Sequence, residues 1–101
     1  MGHDEALQRT SPVTQARFEA QVLKIAALVG GSLAQARFLF QDLSVEAAHC
    51  ASRHRIAFTK ALDAAVAAFA VEYLRSRDSA LAHNAACARL EAMALLKKSA
   101  R

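Results

Sequence analysis

A chain of 101 residues can form one domain with a modest hydrophobic core, and it is too short for two separate domains. Apolar residues make up 54% of the sequence, but 25 residues are alanine, a strong helix former that buries little surface per side chain. The net charge of +4 is modest, and charged or polar residues interrupt the long apolar stretches, so we expect no membrane span.

The scarcity of helix breakers predicts the fold class. Pro12 is the single proline, and no glycine or proline occurs from Ser32 to Arg101. We therefore predict an all-α fold, a compact four-helix bundle built around a long central helix with an antiparallel C-terminal hairpin. Two cysteines, Cys50 and Cys87, are too few for a disulfide framework and favour a reducing compartment, so we expect a cytoplasmic protein.

The N-terminal segment precedes the first helix signal. Residues 1–10 are polar and aperiodic and are predicted to be a disordered tail, which leaves residues 11–101 as a single helical domain. Ser11 and Pro12 place a capping hydroxyl and a proline where a helix can begin. The glycine pair that starts at Gly30 ends this first helix. Its apolar stripe is formed by Phe18, Val22, Ile25 and Val29.

The second predicted helix begins after Ser32, whose hydroxyl can cap it. Most of its large apolar residues share one side, whereas Phe38 points elsewhere and is expected to be exposed or to meet a partner. The clustered residues are Leu33, Ala36, Leu39, Phe40 and Leu43.

The third predicted helix is the long one and runs from Ser44 to about Arg75. Ser44 followed by Glu46 resembles a helix start, because a hydroxyl and an early carboxylate both satisfy the positive end of a helix. Apolar residues occur on two of its sides, so we expect this helix to be the centre of the fold. The larger apolar side holds Ala48, Phe58, Leu62, Val66, Phe69 and Tyr73.

The fourth predicted helix follows the polar turn at residues 76–79 and packs back on the third as a hairpin. We expect an alanine-rich seam to face the third helix, because small side chains let two helix axes approach closely. The seam consists of Leu81, Ala85, Ala88, Ala92 and Leu95.

Cysteine and histidine pairs form the most suggestive metal pattern. Cys50 with His54, and His83 with Cys87, are each spaced four apart and together make a Cys2His2 zinc set. If the hairpin turns near residue 78 and the third helix is continuous, the two pairs lie about 27 Å apart. We therefore predict no intramolecular metal site and no cofactor.

The sequence contains no pattern that indicates an enzyme. Glu46 and His49 form one Glu-x-x-His unit, but di-iron bundles use two such units with further glutamates, so we interpret this pair as solvent-exposed. No exposed-nucleophile turn or glycine-rich phosphate loop is present, and we predict neither catalytic residues nor enzymatic activity.

Basic residues are concentrated in the second half of the chain. Residues 1–43 carry four basic and four acidic side chains, and residues 44–101 carry nine and five, which accounts for the whole net charge. A basic helix stripe can follow a phosphate backbone, so an alternative function is binding of DNA or RNA. The residues for this alternative are Arg53, Arg55, Lys60, Arg75 and Arg77.

Apolar residues outside the main stripes favour a protein that associates. Arg55 falls on the large apolar side of the third helix, where an unpaired guanidinium is costly unless it reaches solvent or a partner. We predict a small helical protein–protein interaction or assembly module, either a homo-oligomer or an accessory subunit of a larger complex. The expected partner-binding residues are Phe38, Arg55, Ile56, Val71 and Leu74.

Overall fold

The computed structural model describes residues 12–99, which form four helices joined by short turns. The helices are α1 (Pro12–Val29), α2 (Leu33–His54), α3 (Phe58–Ser76) and α4 (Ser79–Ser99). No strand occurs between residues 12 and 99, and the predicted all-α four-helix bundle is confirmed.

The ends of α1 and the start of α2 follow local sequence signals. The first helix begins at Pro12 and ends at Val29, and the next residue, Gly30, has a φ of 70° and donates its N–H to the Ala26 carbonyl oxygen at 3.0 Å. Ser32 then caps α2, since its Oγ accepts the N–H of Gln35 at 3.1 Å. The predicted tail at residues 1–10 and the Ser11 cap lie outside the described residues.

The prediction of one helix from Ser44 to about Arg75 is wrong. Helix α2 continues through Ser44, whose Oγ donates to the Phe40 carbonyl oxygen at 2.9 Å, so this serine lies inside the helix instead of capping a new one. The chain then turns at residues 55–57, and α3 begins at Phe58. The predicted long helix is therefore divided between α2 and α3.

The turn after α2 is made without glycine or proline. Arg55 adopts the left-handed conformation, with φ 56° and ψ 46°, and Ile56 donates its N–H to the Ala51 carbonyl oxygen at 3.1 Å. These are the features of a Schellman C-cap, in which the residue after the left-handed position also makes an apolar contact. Half-buried Ile56 packs against the core and makes that contact. The cap offsets the cost of placing a non-glycine residue there, about 1–2 kcal/mol.

Helices α3 and α4 form the predicted C-terminal hairpin. Arg77 ends α3 in the left-handed conformation, with φ 59°, and donates its N–H to the Tyr73 carbonyl oxygen at 2.7 Å. Asp78 starts α4, because its Oδ1 accepts the N–H groups of Ala80 and Leu81 at 2.9 and 3.2 Å.

The core lies between α2, α3 and α4, and α1, which packs across α2 and α3, adds the buried Val22 and Ile25. Phe18 of α1 contacts Phe40 and Phe58, with ring centroids 5.8 and 6.3 Å apart. Two ion pairs hold α1 in place, Arg17–Asp63 at 2.8 Å and Glu19–Arg37 at 2.8 Å. The buried residues of the three central helices include Leu43, Ala47, Leu62, Ala65, Phe69, Ala86 and Leu90.

The seam predicted for α4 is on the wrong side of the helix. The buried residues of α4 are Ala82, Ala86, Leu90 and Met93. Because these positions lie on the opposite side of a helical wheel from Leu81, Ala85, Ala88, Ala92 and Leu95, the predicted seam faces outward. Ala48 is likewise exposed and not in the core.

Between residues 12 and 99, no single helix is both long enough and apolar enough to cross a membrane. Only α1 and α2 taken together reach the required length and hydropathy, and they meet at a bend of 116°.

Candidate functional site

The outward side of α4 carries a continuous uncharged apolar surface, which we call the α4 strip. Its residues are Leu81, Ala85, Ala88, Ala92 and Leu95. Leu81 and Leu95 are 47% and 66% exposed, Ala88 is exposed, and Ala85 and Ala92 are half-buried. The spacing of 4, 3, 4 and 3 keeps all five side chains in one row, as in helices that pair with another helix.

A second surface feature is an open groove between α2 and α4, with a volume of about 490 Å³. The two helices run parallel here, since Glu46 lies beside His83 and Cys50 lies beside Leu90. Most of the residues that line it are polar or titratable, and the others are Leu90, Ala94 and Leu95. The polar or titratable residues from α2 are Glu46, His49, Cys50, Arg53 and His54, and those from α4 include Cys87, Glu91 and Lys98.

Three possible metal ligands meet beside this groove, and two of them, Glu46 and Cys87, line it. Glu46 Oε2 lies 4.0 Å from His83 Nε2, and Cys87 Sγ lies 3.9 Å from His83 Nδ1. One ligand atom from each residue lies within 4.8 Å of one from each of the others, and all three residues are half-buried. His83 and Cys87 are one helical turn apart on α4, while Glu46 comes from α2. The cluster therefore joins two helices that no turn connects directly.

The two thiols are free and differ in their surroundings. Cys50 is buried, and its Sγ lies 3.6 Å from the Leu90 carbonyl oxygen; burial raises its pKa. Burial also raises the pKa of half-buried Cys87, and the negative charges of Glu46 and Glu91 raise it further. Without a cation nearby, both thiols are therefore protonated near neutral pH.

The helix break overturns the distance that argued against metal binding. The 27 Å separation assumed a continuous helix, whereas the turn at residues 55–57 returns the chain so that α2 lies against α4. The set that forms is not the Cys2His2 combination that the sequence suggested and the distance argued against. His83 and Cys87 belong to it, Glu46 replaces the other pair, and Cys50 and His54 line the groove without joining it. The interpretation of Glu46 as merely solvent-exposed missed this contact with α4.

The residues predicted to bind a partner fall into different environments. Phe38, Val71 and Leu74 are 64%, 69% and 59% exposed, so their apolar side chains are uncovered by the described chain. Ile56 is half-buried against the core. Arg55 is exposed at the turn, and not on an apolar helix side, because the helix ends before it.

The predicted nucleic-acid-binding residues separate into two groups. Arg53, Arg55 and Lys60 flank the turn between α2 and α3, whereas Arg75 and Arg77 lie at the other end of α3. The 19 residues of α3 place these ends about 28 Å apart. Within the second group, the Arg75 guanidinium is paired with Glu72 at 2.9 Å. The five residues do not make one uninterrupted stripe.

The chain matches no family model, no curated protein and no solved structure. The geometry of the described residues is therefore the basis for the functional proposals below.

Proposed function

We propose that this protein is a self-assembling helical module that pairs with a second copy of itself through the α4 strip. The observation that carries the proposal is the row of five uncharged apolar residues on α4, of which Leu81, Ala88 and Leu95 are exposed. Burying apolar surface is the main favourable term in association, and the strip has no charge that must be desolvated.

The order of residues in the α4 strip supports a second copy as the occupant. The strip reads Leu, Ala, Ala, Ala, Leu in either direction, so an antiparallel copy centred on Ala88 sets Leu81 beside Leu95 of the other chain. Such pairing is two-fold symmetric, as in most homodimers. The central alanines let the two backbones approach, and the leucines at each end supply most of the buried area.

The size of the strip predicts a reversible equilibrium. Residues 81–95 span about 21 Å of helix, and a contact between two such segments is at the low end of protein interface sizes. We therefore expect monomer and dimer to exchange, with the dimer fraction rising with protein concentration.

Sedimentation equilibrium on Ala88→Glu tests the proposal. The glutamate lies at the centre of the strip, where two copies would bring two carboxylates together, so the variant is expected to remain monomeric at concentrations at which the wild type dimerises. Ala67→Glu is the matched control, because Ala67 is also an exposed alanine within a helix but lies on α3. Circular dichroism checks that both variants keep their helical content.

Other results would contradict the proposal in distinguishable ways. A wild type that stays monomeric at millimolar concentration rules out self-assembly. If dimerisation survives Ala88→Glu but is lost in Ala67→Glu, the interface lies on α3, near Val71 and Leu74. If it is lost in Phe38→Glu instead, the interface lies on α2. Binding to labelled DNA or RNA that weakens steeply with salt would favour the nucleic-acid alternative, since association through apolar surface does not weaken with salt.

A further inference from the structure

We propose that Glu46, His83 and Cys87 form a zinc site that joins α2 to α4 beside the groove between them. None of the three residues belongs to the α4 strip, although Leu95 of the strip also lines the groove.

The distances are close to those of a tetrahedral ion. Zinc binds sulfur at about 2.3 Å and nitrogen or oxygen at about 2.0–2.2 Å, which places neighbouring ligand atoms about 3.3–3.8 Å apart. The 4.0 Å contact with Glu46 is made by Nε2 of His83 and the 3.9 Å contact with Cys87 by Nδ1, so a single ring nitrogen must serve the ion. With one atom from each residue, the three candidate ligand atoms lie within 4.8 Å of one another, and they must approach by about 1 Å to bind zinc. Rotation of the His83 ring selects the nitrogen that binds, and these half-buried side chains have room to move.

The donor atoms favour zinc among the common divalent ions. A thiolate and an imidazole are borderline-soft ligands that suit zinc, whereas magnesium and calcium prefer oxygen atoms alone. Binding displaces the proton of the Cys87 thiol to solvent, and the cation then offsets the repulsion that the thiolate would feel from Glu46 and Glu91. Three protein ligands leave the fourth position to a water molecule from the open groove.

Cobalt titration of the full-length chain, purified without an affinity tag and stripped with chelator, tests the site. We expect one Co²⁺ per chain, visible bands of a tetrahedral ion, and a near-ultraviolet band from thiolate charge transfer, all removed by added Zn²⁺. Cys87→Ser is expected to abolish the charge-transfer band. Glu46→Gln and His83→Gln should each weaken Co²⁺ binding at least about 100-fold, the upper end of what loss of a merely supporting residue costs.

His49→Gln is the matched control, because His49 lies on α2, is exposed and lines the same groove without belonging to the cluster. It should bind Co²⁺ within about twofold of the wild type. A wild type that binds no Co²⁺ at millimolar concentration would overturn the site, as would a charge-transfer band that persists in Cys87→Ser or an equal loss in His49→Gln. If Cys87→Ser fails to fold, the wild-type chain can be tested instead. Zn²⁺ should then protect Cys87 from alkylation by iodoacetamide, as measured by peptide mass. Absence of protection refutes the assignment.

Discussion

The turn between α2 and α3 is tested by proline at position 57. Ala57 has a φ of −60°, close to the value that proline imposes, and its N–H donates to no backbone carbonyl among the described residues. We therefore expect Ala57→Pro to change the free energy of unfolding little, with a gain of up to about 1 kcal/mol from the stiffer unfolded chain. A helix continuous through this position would instead lose about 3 kcal/mol or more.

Ala67→Pro provides the reference for a helix interior, since Ala67 is exposed in the middle of α3. We expect Ala67→Pro to lower the free energy of unfolding by about 3 kcal/mol, which lowers the melting temperature of a domain of this size by about 12–24 °C. Urea unfolding followed by circular dichroism measures both variants. If Ala57→Pro destabilises the protein as much as Ala67→Pro does, the turn at residues 55–57 is wrong, and with it the position of α2 beside α4.

Three further predictions concern the core and two titrating groups. Phe69→Ala should lower the free energy of unfolding by about 3–5 kcal/mol because Phe69 is fully buried. Val71→Ala, at an exposed position, should change it by no more than about 0.5 kcal/mol. Similar losses of the two variants in urea unfolding would contradict the packing of α3. Burial and nearby carboxylates raise the pKa of Cys87, so in metal-free folded protein its alkylation should accelerate at a higher pH than in the unfolded chain. Equal pH profiles for the folded and unfolded chains would refute this environment. The hydrogen bonds from Arg37 lower the pKa of Glu19, so their contribution to stability is complete above the ordinary glutamate pKa and is lost as pH falls through the lowered value. A carboxyl NMR titration of Glu19 that gives an ordinary pKa would contradict this contact.

Helix ends that depend on specialised residues could be predicted from the sequence. Pro12, Gly30 and Ser32 each have a conformational or hydrogen-bonding role that few other residues fill, and the structure uses all three as expected. The all-α fold followed from the scarcity of helix breakers after Ser32, and the C-terminal hairpin followed from the polar turn at residues 76–79.

The turn at Arg55 could not be predicted because arginine gives no local signal for a left-handed backbone. Its conformation depends on a tertiary contact, the packing of Ile56 against the core, together with the hydrogen bond to the Ala51 carbonyl oxygen. Missing this turn had a direct consequence for the candidate metal site. A continuous helix keeps Glu46 and Cys87 far apart, and only the reversal of the chain brings them together.

The orientation of α4 was ambiguous for a different reason. Alanines occupy both its inner side, at Ala82 and Ala86, and its outer side, at Ala85, Ala88 and Ala92. Periodicity identifies a buried side by the contrast between apolar and polar residues, and this helix offers little contrast. The position of Leu90 and Met93, set by packing against α2 and α3, decides which side is buried.

The proposed self-assembly is tested most directly by isotope-filtered NOE spectroscopy on a mixture of methyl-labelled and unlabelled chains. Pairing through the α4 strip predicts intermolecular NOEs between the Leu81 methyl groups of one chain and the Leu95 methyl groups of the other, with none at Phe38. Intermolecular NOEs confined to α2 or α3, or none at a concentration where sedimentation shows a dimer, would contradict assembly through α4.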